Sequence, residues 1–108
     1  MKEVNYKIYQ LSDLDDKKQL KIAFKAFDWI KDDFSFSYYK KTYEGSLKVD
    51  TDQTRAILDI LFTKFNVNRP ADFTGYSLSV SDIIEMDGKY WYCDFAGWKD
   101  ITDLCKEN

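Results

Sequence analysis

Hydrophobic and polar residues alternate near the start of the chain with the period of a β-strand. In residues 4–10, Val4, Tyr6 and Ile8 would share one side of an extended chain, with mostly polar residues on the other. We therefore predict a first strand over residues 4–10.

The next segment has the period of an α-helix. Ser12-Asp13-Leu14-Asp15 fits the capping box, in which a hydroxyl and a carboxylate accept hydrogen bonds from the free N–H groups of the first turn. The stripe expected to face the core consists of Leu20, Ala23, Phe24, Phe27 and Ile30, flanked by Ile22, Ala26 and Trp29. Asp32-Asp33 ends this pattern, so we predict a first main helix before that point.

A second strand and a second helix follow. Aromatic and hydroxyl residues predict the strand near Tyr38–Tyr43, with Glu44-Gly45 as a bend or bulge. Asp50 and Gln53 are typical of a helix N-terminus. We expect Asn66 to end the helix in the left-handed conformation, before Pro70. The apolar stripe of this helix is Ile57, Leu58, Leu61, Phe62 and Phe65.

Asp87-Gly88 predicts a tight hairpin, because a two-residue type I′ turn needs positive φ at both positions. This turn would pair Met86 with Lys89 and Ile83 with Tyr92. The hairpin face expected to join the core carries Ile84, Met86, Trp91, Cys93 and Phe95. The other face carries Ile83, Glu85, Tyr90, Tyr92 and Asp94.

Two segments beside the hairpin are less regular. Residues 77–81 alternate Ser with apolar residues, which favours a half-exposed strand, although Ser81-Asp82 could instead cap a short helical turn. The C-terminal residues spaced for a short helix on the core are Trp98, Ile101, Leu104 and Cys105.

These elements predict one α+β domain over residues 1–108. We expect a small antiparallel sheet of about four strands, with a C-terminal β-hairpin, packed against two main α-helices. A chain of 108 residues with 44% hydrophobic residues fits a single core that needs no cofactor or metal for stability.

The charge is uneven along the chain. Its 16 basic and 19 acidic residues give a net charge of −3, but residues 69–108 alone carry four basic and eight acidic residues, hence −4. Such a surface repels phosphates, disfavours direct nucleic-acid binding and favours a basic protein partner. Ordinary solubilising charge is the alternative interpretation.

Most catalytic chemistry has no candidate residues in this sequence. The chain contains no histidine, no Walker loop and no glycine-rich dinucleotide motif. Carboxylates around the hairpin, Asp82, Glu85, Asp87 and Asp94, could bind Mg²⁺ or act as acid and base, but Asp87 is already explained by the turn. We expect no catalytic, cofactor or metal site.

The cysteines and the N-terminus favour a cytoplasmic protein. Cys93 and Cys105 lack the number and spacing of a disulfide framework or zinc site, so we expect two reduced thiols, with Cys93 buried and inert; a single bridge stays open. No apolar run approaches the ~20 residues of a membrane span, and residues 1–6 lack a secretory signal's apolar stretch. A monomer or small homo-oligomer is expected.

Two surfaces could bind partners. Residues 36–43 interleave aromatic residues with Lys40 and Lys41, which could stack single-stranded nucleic acid, but tyrosines packed on a neighbouring helix are the preferred interpretation. The hairpin face with Tyr90 and Tyr92 has tyrosines typical of a protein-binding surface. The sequence does not say whether the acidic residues form one patch. The predicted partner-binding residues are Asp82, Glu85, Asp87, Tyr90, Tyr92, Asp94, Trp98 and Asp100.

Several stretches together resemble the YodL-like domain family. They are Tyr6–Leu11, Tyr43–Leu47, the Phe-Asn…Pro…Gly…Ser-Leu-Ser-Val-Ser-Asp run from Phe65 to Asp82 with Ile83-Ile84, and Tyr92–Phe95 followed by Gly97. Tyr76 stands where a basic residue is expected, so a basic contact shared with the family does not transfer. The resemblance supplies no catalytic motif.

The resemblance implies a small domain of Gram-positive bacteria and of their plasmids and integrative elements, often beside or inside anti-restriction and other anti-defence proteins. We therefore expect a protein that binds and inhibits a host CRISPR effector or restriction nuclease, with its acidic part on the basic nucleic-acid channel. The alternative is a host regulatory or structural adaptor that binds a cytoskeletal or metabolic protein. Strong salt dependence would favour the nuclease.

Overall fold

Five antiparallel strands form one sheet with the spatial order β2-β1-β3-β4-β5. The computed structural model describes residues 1–106. The strands are β1 (Lys2–Leu11), β2 (Tyr39–Val49), β3 (Ile83–Met86), β4 (Lys89–Asp94) and β5 (Gly97–Asp100). The helices are α1 (Lys17–Leu20), α2 (Phe27–Ile30), α3 (Thr54–Val67) and α4 (Thr102–Cys105), with a 3-10 turn at Phe36–Tyr38. An α+β fold is confirmed, with five strands where about four were expected.

The N-terminal strand has the predicted faces and a longer extent. Val4, Tyr6 and Ile8 are buried on the side of α3. The bend or bulge predicted at Glu44-Gly45 is not there, because Gly45 pairs regularly with Tyr6. The irregularity lies at Thr42, which is unpaired because the register between β1 and β2 shifts between Ile8 and Tyr9. The second strand therefore runs well past the predicted end.

The helix α3 covers one face of the sheet, as its stripe predicted. Ile57, Leu58, Leu61 and Phe65 are buried, and Phe62 is half-buried. Its end differs from the prediction, since the helix continues through Asn66 to Val67 and is capped by Asn68 at φ −139°, outside the left-handed region.

The first main helix is not confirmed, because its sequence forms the two short helices α1 and α2. Phe24 between them has φ of +64°, which no α-helix accommodates, and its N–H donates to Ser81 Oγ at 3.1 Å. Leu20 and Phe24, expected in the core, are 54% and 51% exposed. The predicted capping box is also wrong: Asp16 caps α1, and the Ser12 hydroxyl accepts a hydrogen bond from Gln19 instead.

The segment from Ile22 to Ile30, which includes α2, nevertheless covers the second face of the sheet. It contributes to a cluster of buried residues that consists of Leu11, Ile22, Ala23, Phe27, Ile30, Ile83, Tyr92 and Ile101. Because Ile83 and Ile84 are neighbours on β3 and point to opposite faces, the sheet is buried on both sides at this point.

The hairpin has the predicted register, with Met86 opposite Lys89 and Ile83 opposite Tyr92. Residues 77–81 form neither the predicted strand nor a helical turn. The C-terminal segment is also different, because Trp98 lies on β5 and only residues 102–105 are helical. Among residues 1–106, no helix is long and apolar enough to span a membrane.

Candidate protein-binding surface

The eight residues predicted to bind a partner do not form one surface. Asp82, Tyr92 and Trp98 are buried, with exposed fractions of 1%, 0% and 6%. The half-buried residues are Glu85, Tyr90 and Asp94, and the exposed ones are Asp87 and Asp100. Asp82 and Tyr92 are therefore inaccessible to a partner in this conformation, Trp98 exposes only a small part of its surface, and the remaining five do not lie together.

The two tyrosines face the second core cluster. The Tyr92 ring packs edge-on against Phe27 at 5.1 Å between centroids, and its hydroxyl donates to the Lys25 carbonyl at 2.7 Å. Tyr90 packs against Phe36 at 5.3 Å. The hairpin face with Tyr90 and Tyr92 was predicted to bind a partner. In the structure, Lys25 and Phe27, from the segment that follows β1, cover this face.

Asp82 belongs to a buried polar network. Its Oδ2 accepts hydrogen bonds from Gln10 Nε2 at 3.1 Å and from the Ser79 N–H at 3.0 Å. Gln10, which is 0% exposed, also donates to the Tyr76 carbonyl at 2.8 Å. The network ties the loop before β3 to β1, so the function of Asp82 is structural here.

Burial leaves several oxygen atoms of this network without a donor. Asp82 Oδ1, Gln10 Oε1 and Ser79 Oγ are buried and form no hydrogen bond within the protein. Desolvation raises the pKa of Asp82 to about 7, against the lowering effect of its polar neighbours Gln10, Ser79 and Tyr76. A proton on Oδ1 would convert one of the unpaired acceptors into a donor.

A groove of about 640 Å³ lies at one corner of the sheet. It lies where the turn between β4 and β5 meets the start of α2 and the first turn of α3. Three of the predicted residues line it, Asp94, Trp98 and Asp100. We call this depression the corner groove. Its other lining residues are Ala26, Asp28, Arg55, Phe95, Ala96, Gly97 and Lys99.

Two hydrogen bonds orient Asp94 at the corner groove. Its Oδ1 accepts from the Phe95 N–H at 2.8 Å, and its Oδ2 accepts from the Phe27 N–H at 3.4 Å. Asp100 is held at the C-terminal end of β5, where hydrogen bonds from Thr102 lower the pKa of its carboxyl. Hydrogen bonds therefore hold both side chains in place at the corner groove.

The two cations of the corner groove are already engaged. The Arg55 guanidinium donates to the Trp98 carbonyl at 2.6 Å and lies over the Trp91 ring at 5.5 Å. Lys99 Nζ lies 5.7 Å from the centre of the Phe27 ring. Three carboxylates against two occupied cations favour a positively charged ligand.

Phe95, which lines the corner groove, and Trp29, which follows the groove residue Asp28, are both exposed, although the sequence predicted both near the core. Phe95, expected on the core face of the hairpin, is 70% exposed because the strand ends at Asp94 and Phe95 lies in the turn. Trp29 follows the groove residue Asp28 on α2 and is 82% exposed. The signal available in the sequence was Gly97, two residues after Phe95, because a glycine readily adopts the positive φ, here +108°, at which the chain turns into β5.

The remaining acidic residues, Glu85 and Asp87, lie at the tip of the hairpin. They line a separate depression of about 320 Å³ together with Lys7 and Glu44. Glu85 accepts a hydrogen bond from the Gly88 N–H at 3.2 Å, which supports the turn. The acidic residues of the C-terminal part therefore form no single patch.

Neither cysteine has the surroundings of a reactive thiol. Both are free, and burial raises the pKa of Cys93 and of Cys105 to about 12. Within residues 1–106, no group of three or more His, Cys, Asp or Glu side chains could hold a metal ion. The rings of Phe36, Tyr38 and Tyr39 pack into the second cluster, so they offer no stacking platform for bases.

The sequence profile of the YodL-like domain family matches residues 5–104, which include all or part of every strand and helix of the fold. The chain belongs to this family. No curated protein and no solved structure gives a significant match.

The segment of this YodL-like domain that carries the strongest resemblance has a structural function. Gly75 lies so close to Gln10 and Phe73 that a Cβ there would collide with Gln10 Oε1 and come within 2.8 Å of the Phe73 ring. Ser79 and Asp82, later in the same segment, hold the polar network with Gln10. The segment Phe65–Asp82 therefore locks the loop onto β1.

Proposed function

We propose that this YodL-like domain is a non-catalytic protein-binding domain whose corner groove receives a basic segment of a partner. The observation that carries the proposal is the exposed ring of Phe95 at a groove with three carboxylates, with Trp29 exposed one residue after the groove residue Asp28. Aromatic side chains supply most of the binding energy in many protein interfaces, and the fixed carboxylates would select the charge of the partner.

The partner class that fits this surface is a nuclease of a host defence system. Nucleases present basic channels to nucleic acid, and the carboxylates of the corner groove would complement such a channel, so that the domain competes with the nucleic-acid substrate. The family resemblance supports the same proposal through its association with mobile elements and anti-defence proteins. This function implies action in the cytoplasm, where CRISPR effectors and restriction nucleases cleave DNA or RNA.

The first experiment uses tagged protein and a lysate of a Gram-positive host that carries CRISPR and restriction systems. Captured nucleases are purified, and their cleavage of substrate is measured with increasing amounts of this protein at low and high salt. We expect stoichiometric inhibition that weakens at high salt, because exposed charge pairs are screened. Capture of a salt-resistant partner outside defence, without effect on any nuclease, would favour the adaptor alternative.

Matched variants locate the binding surface. Phe95→Ser removes an exposed aromatic ring at the corner groove, and Trp29→Ser removes one that follows the groove residue Asp28, while Val67→Ser removes an 80% exposed apolar residue at the far end of α3. Asp28→Asn and Asp87→Asn each remove one charge, the first at the groove and the second at the hairpin tip. We expect the groove variants to weaken nuclease binding at least about tenfold, a loss of ~1.4 kcal/mol. Equal effects of groove and control variants would overturn the proposal.

A further inference from the structure

The two edges of the sheet differ in length and in protection. The edge strand β5 has four residues, and Arg55 already occupies its Trp98 carbonyl. The other edge, β2, has 11 residues and makes substantial contact with β1 alone among the strands and helices. A long free edge presents a row of backbone N–H and C=O groups that another strand can pair with.

The regular part of this edge begins after the bulge. Because Thr42 is unpaired, the segment Tyr43–Val49 is the stretch with uninterrupted pairing to β1. It spans about 20 Å at the usual rise per residue of an antiparallel strand. Along the two sheet edges within residues 1–106, this segment alone offers an incoming strand an unbroken register of seven residues.

The sequence of this segment is complementary to itself. Two copies paired antiparallel about Ser46 would place Glu44 of one copy opposite Lys48 of the other, twice in the interface. Glu44 and Lys48 both point to the face opposite α3, because their β1 partners Lys7 and Glu3 do so. Opposite charges directly across a strand pair stabilise it.

The face toward α3 matches as well. In the same register, Tyr43 lies opposite Val49, and Gly45 opposite Leu47. Tyr43 and Leu47 are half-buried apolar residues that already pack against the core cluster under α3. Pairing would extend that apolar row across the two copies, with a large side chain always opposite a smaller or β-branched one.

We propose that two copies of this protein associate through β2, with Ser46 on the two-fold axis, into one continuous ten-stranded sheet. The interface is isologous, since each copy contributes the same segment and the same two charges. It lies on the opposite edge of the sheet from β5 and the corner groove, so the dimer would carry two grooves.

Charge-swap variants test this register. Glu44→Lys places lysines opposite each other at both ends of the interface, and Lys48→Glu places glutamates there. We expect each variant alone to raise the dimer dissociation constant at least about tenfold in sedimentation equilibrium. Mixing the two variants should restore a dimer of twice 12.8 kDa, because both cross-strand pairs are then attractive.

Mixing also separates the interface from effects within one chain. Glu44→Lys breaks the 2.6 Å ion pair with Lys41, and Lys48→Glu faces Glu3 on β1, but neither change within a copy is repaired by adding the other variant. Asp28→Lys makes the same charge change as Glu44→Lys at the groove and should leave the dimer intact. A monomer at all concentrations, or a dimer that mixing does not restore, would overturn the proposal.

Discussion

At the scale of single residues, the buried carboxyl of Asp82 is the main electrostatic feature. Its neighbours Tyr39, Tyr76, Tyr92 and Cys93 all have pKa values raised by burial, so they stay neutral below pH 9. Asp82 is the group of this network that titrates near neutrality. Its protonated form resembles an asparagine in shape and hydrogen-bonding capacity.

This resemblance predicts the effect of Asp82→Asn. The folded pKa of about 7 is raised above the unfolded value of 3.8, so the folded state binds the extra proton and wild-type stability falls as pH rises between about 4 and 7. The asparagine cannot ionise. We expect the variant to gain about 2–3 kcal/mol relative to wild type between pH 5 and pH 8 in urea unfolding. The same difference at both pH values would show that Asp82 titrates normally.

The assignment of Asp82 to a partner surface shows what the sequence lacks at this scale. An acidic residue beside a predicted hairpin is exposed in most proteins, and nothing in the residues 77–82 indicates that Gln10, distant in sequence, buries it. Phe95 is the opposite case, a residue predicted to be buried that is exposed. The alternation of β4 predicts a core position for it, but the strand ends one residue earlier, at Asp94.

At the scale of elements, prediction succeeded where one local pattern determines the structure. The stripe of α3 and the Asp87-Gly88 turn are both satisfied by short-range geometry, and both have the predicted positions. The predicted first helix does not form. The Phe24 N–H donates a hydrogen bond to Ser81, and the Lys25 carbonyl accepts one from Tyr92, and both partners are distant in sequence. Tertiary hydrogen bonds there override a helical hydrophobic pattern.

The break in the helix at Phe24 predicts which of two substitutions at this position gives the more stable protein. Both Phe24→Gly and Phe24→Ala remove the same exposed ring, but only glycine adopts φ near +64° without strain. We expect the glycine variant to be more stable than the alanine variant by about 1 kcal/mol in chemical denaturation. If residue 24 lay in a continuous helix, the alanine variant would instead be the more stable one, by about the same 1 kcal/mol. A more stable alanine variant would therefore contradict the break in the helix at Phe24.

At the scale of the whole molecule, one sheet joins two hydrophobic clusters. The cluster under α3 contains Ile84 and Trp91, and the cluster on the other face contains their strand neighbours Ile83 and Tyr92. Loss of either cluster would expose one face of the same two central strands. The partner surface could not be predicted at this scale, because the corner groove joins residues of α2, α3 and β5 that are distant in sequence.

Shared strands predict that both clusters unfold together. Trp91 and Trp98 are buried on the α3 side, whereas Trp29 is exposed, so the change in tryptophan fluorescence reports the first cluster. Ile30→Ala creates a cavity in the second cluster and should cost about 2–5 kcal/mol. We expect this variant to lower the urea midpoint seen by tryptophan fluorescence as much as that seen by far-ultraviolet circular dichroism. Leu61→Ala, in the first cluster, is the matched control and should shift both midpoints equally. If Ile30→Ala left the fluorescence midpoint unchanged, the layer that contains α2 would unfold separately, and the sheet would not couple the two faces.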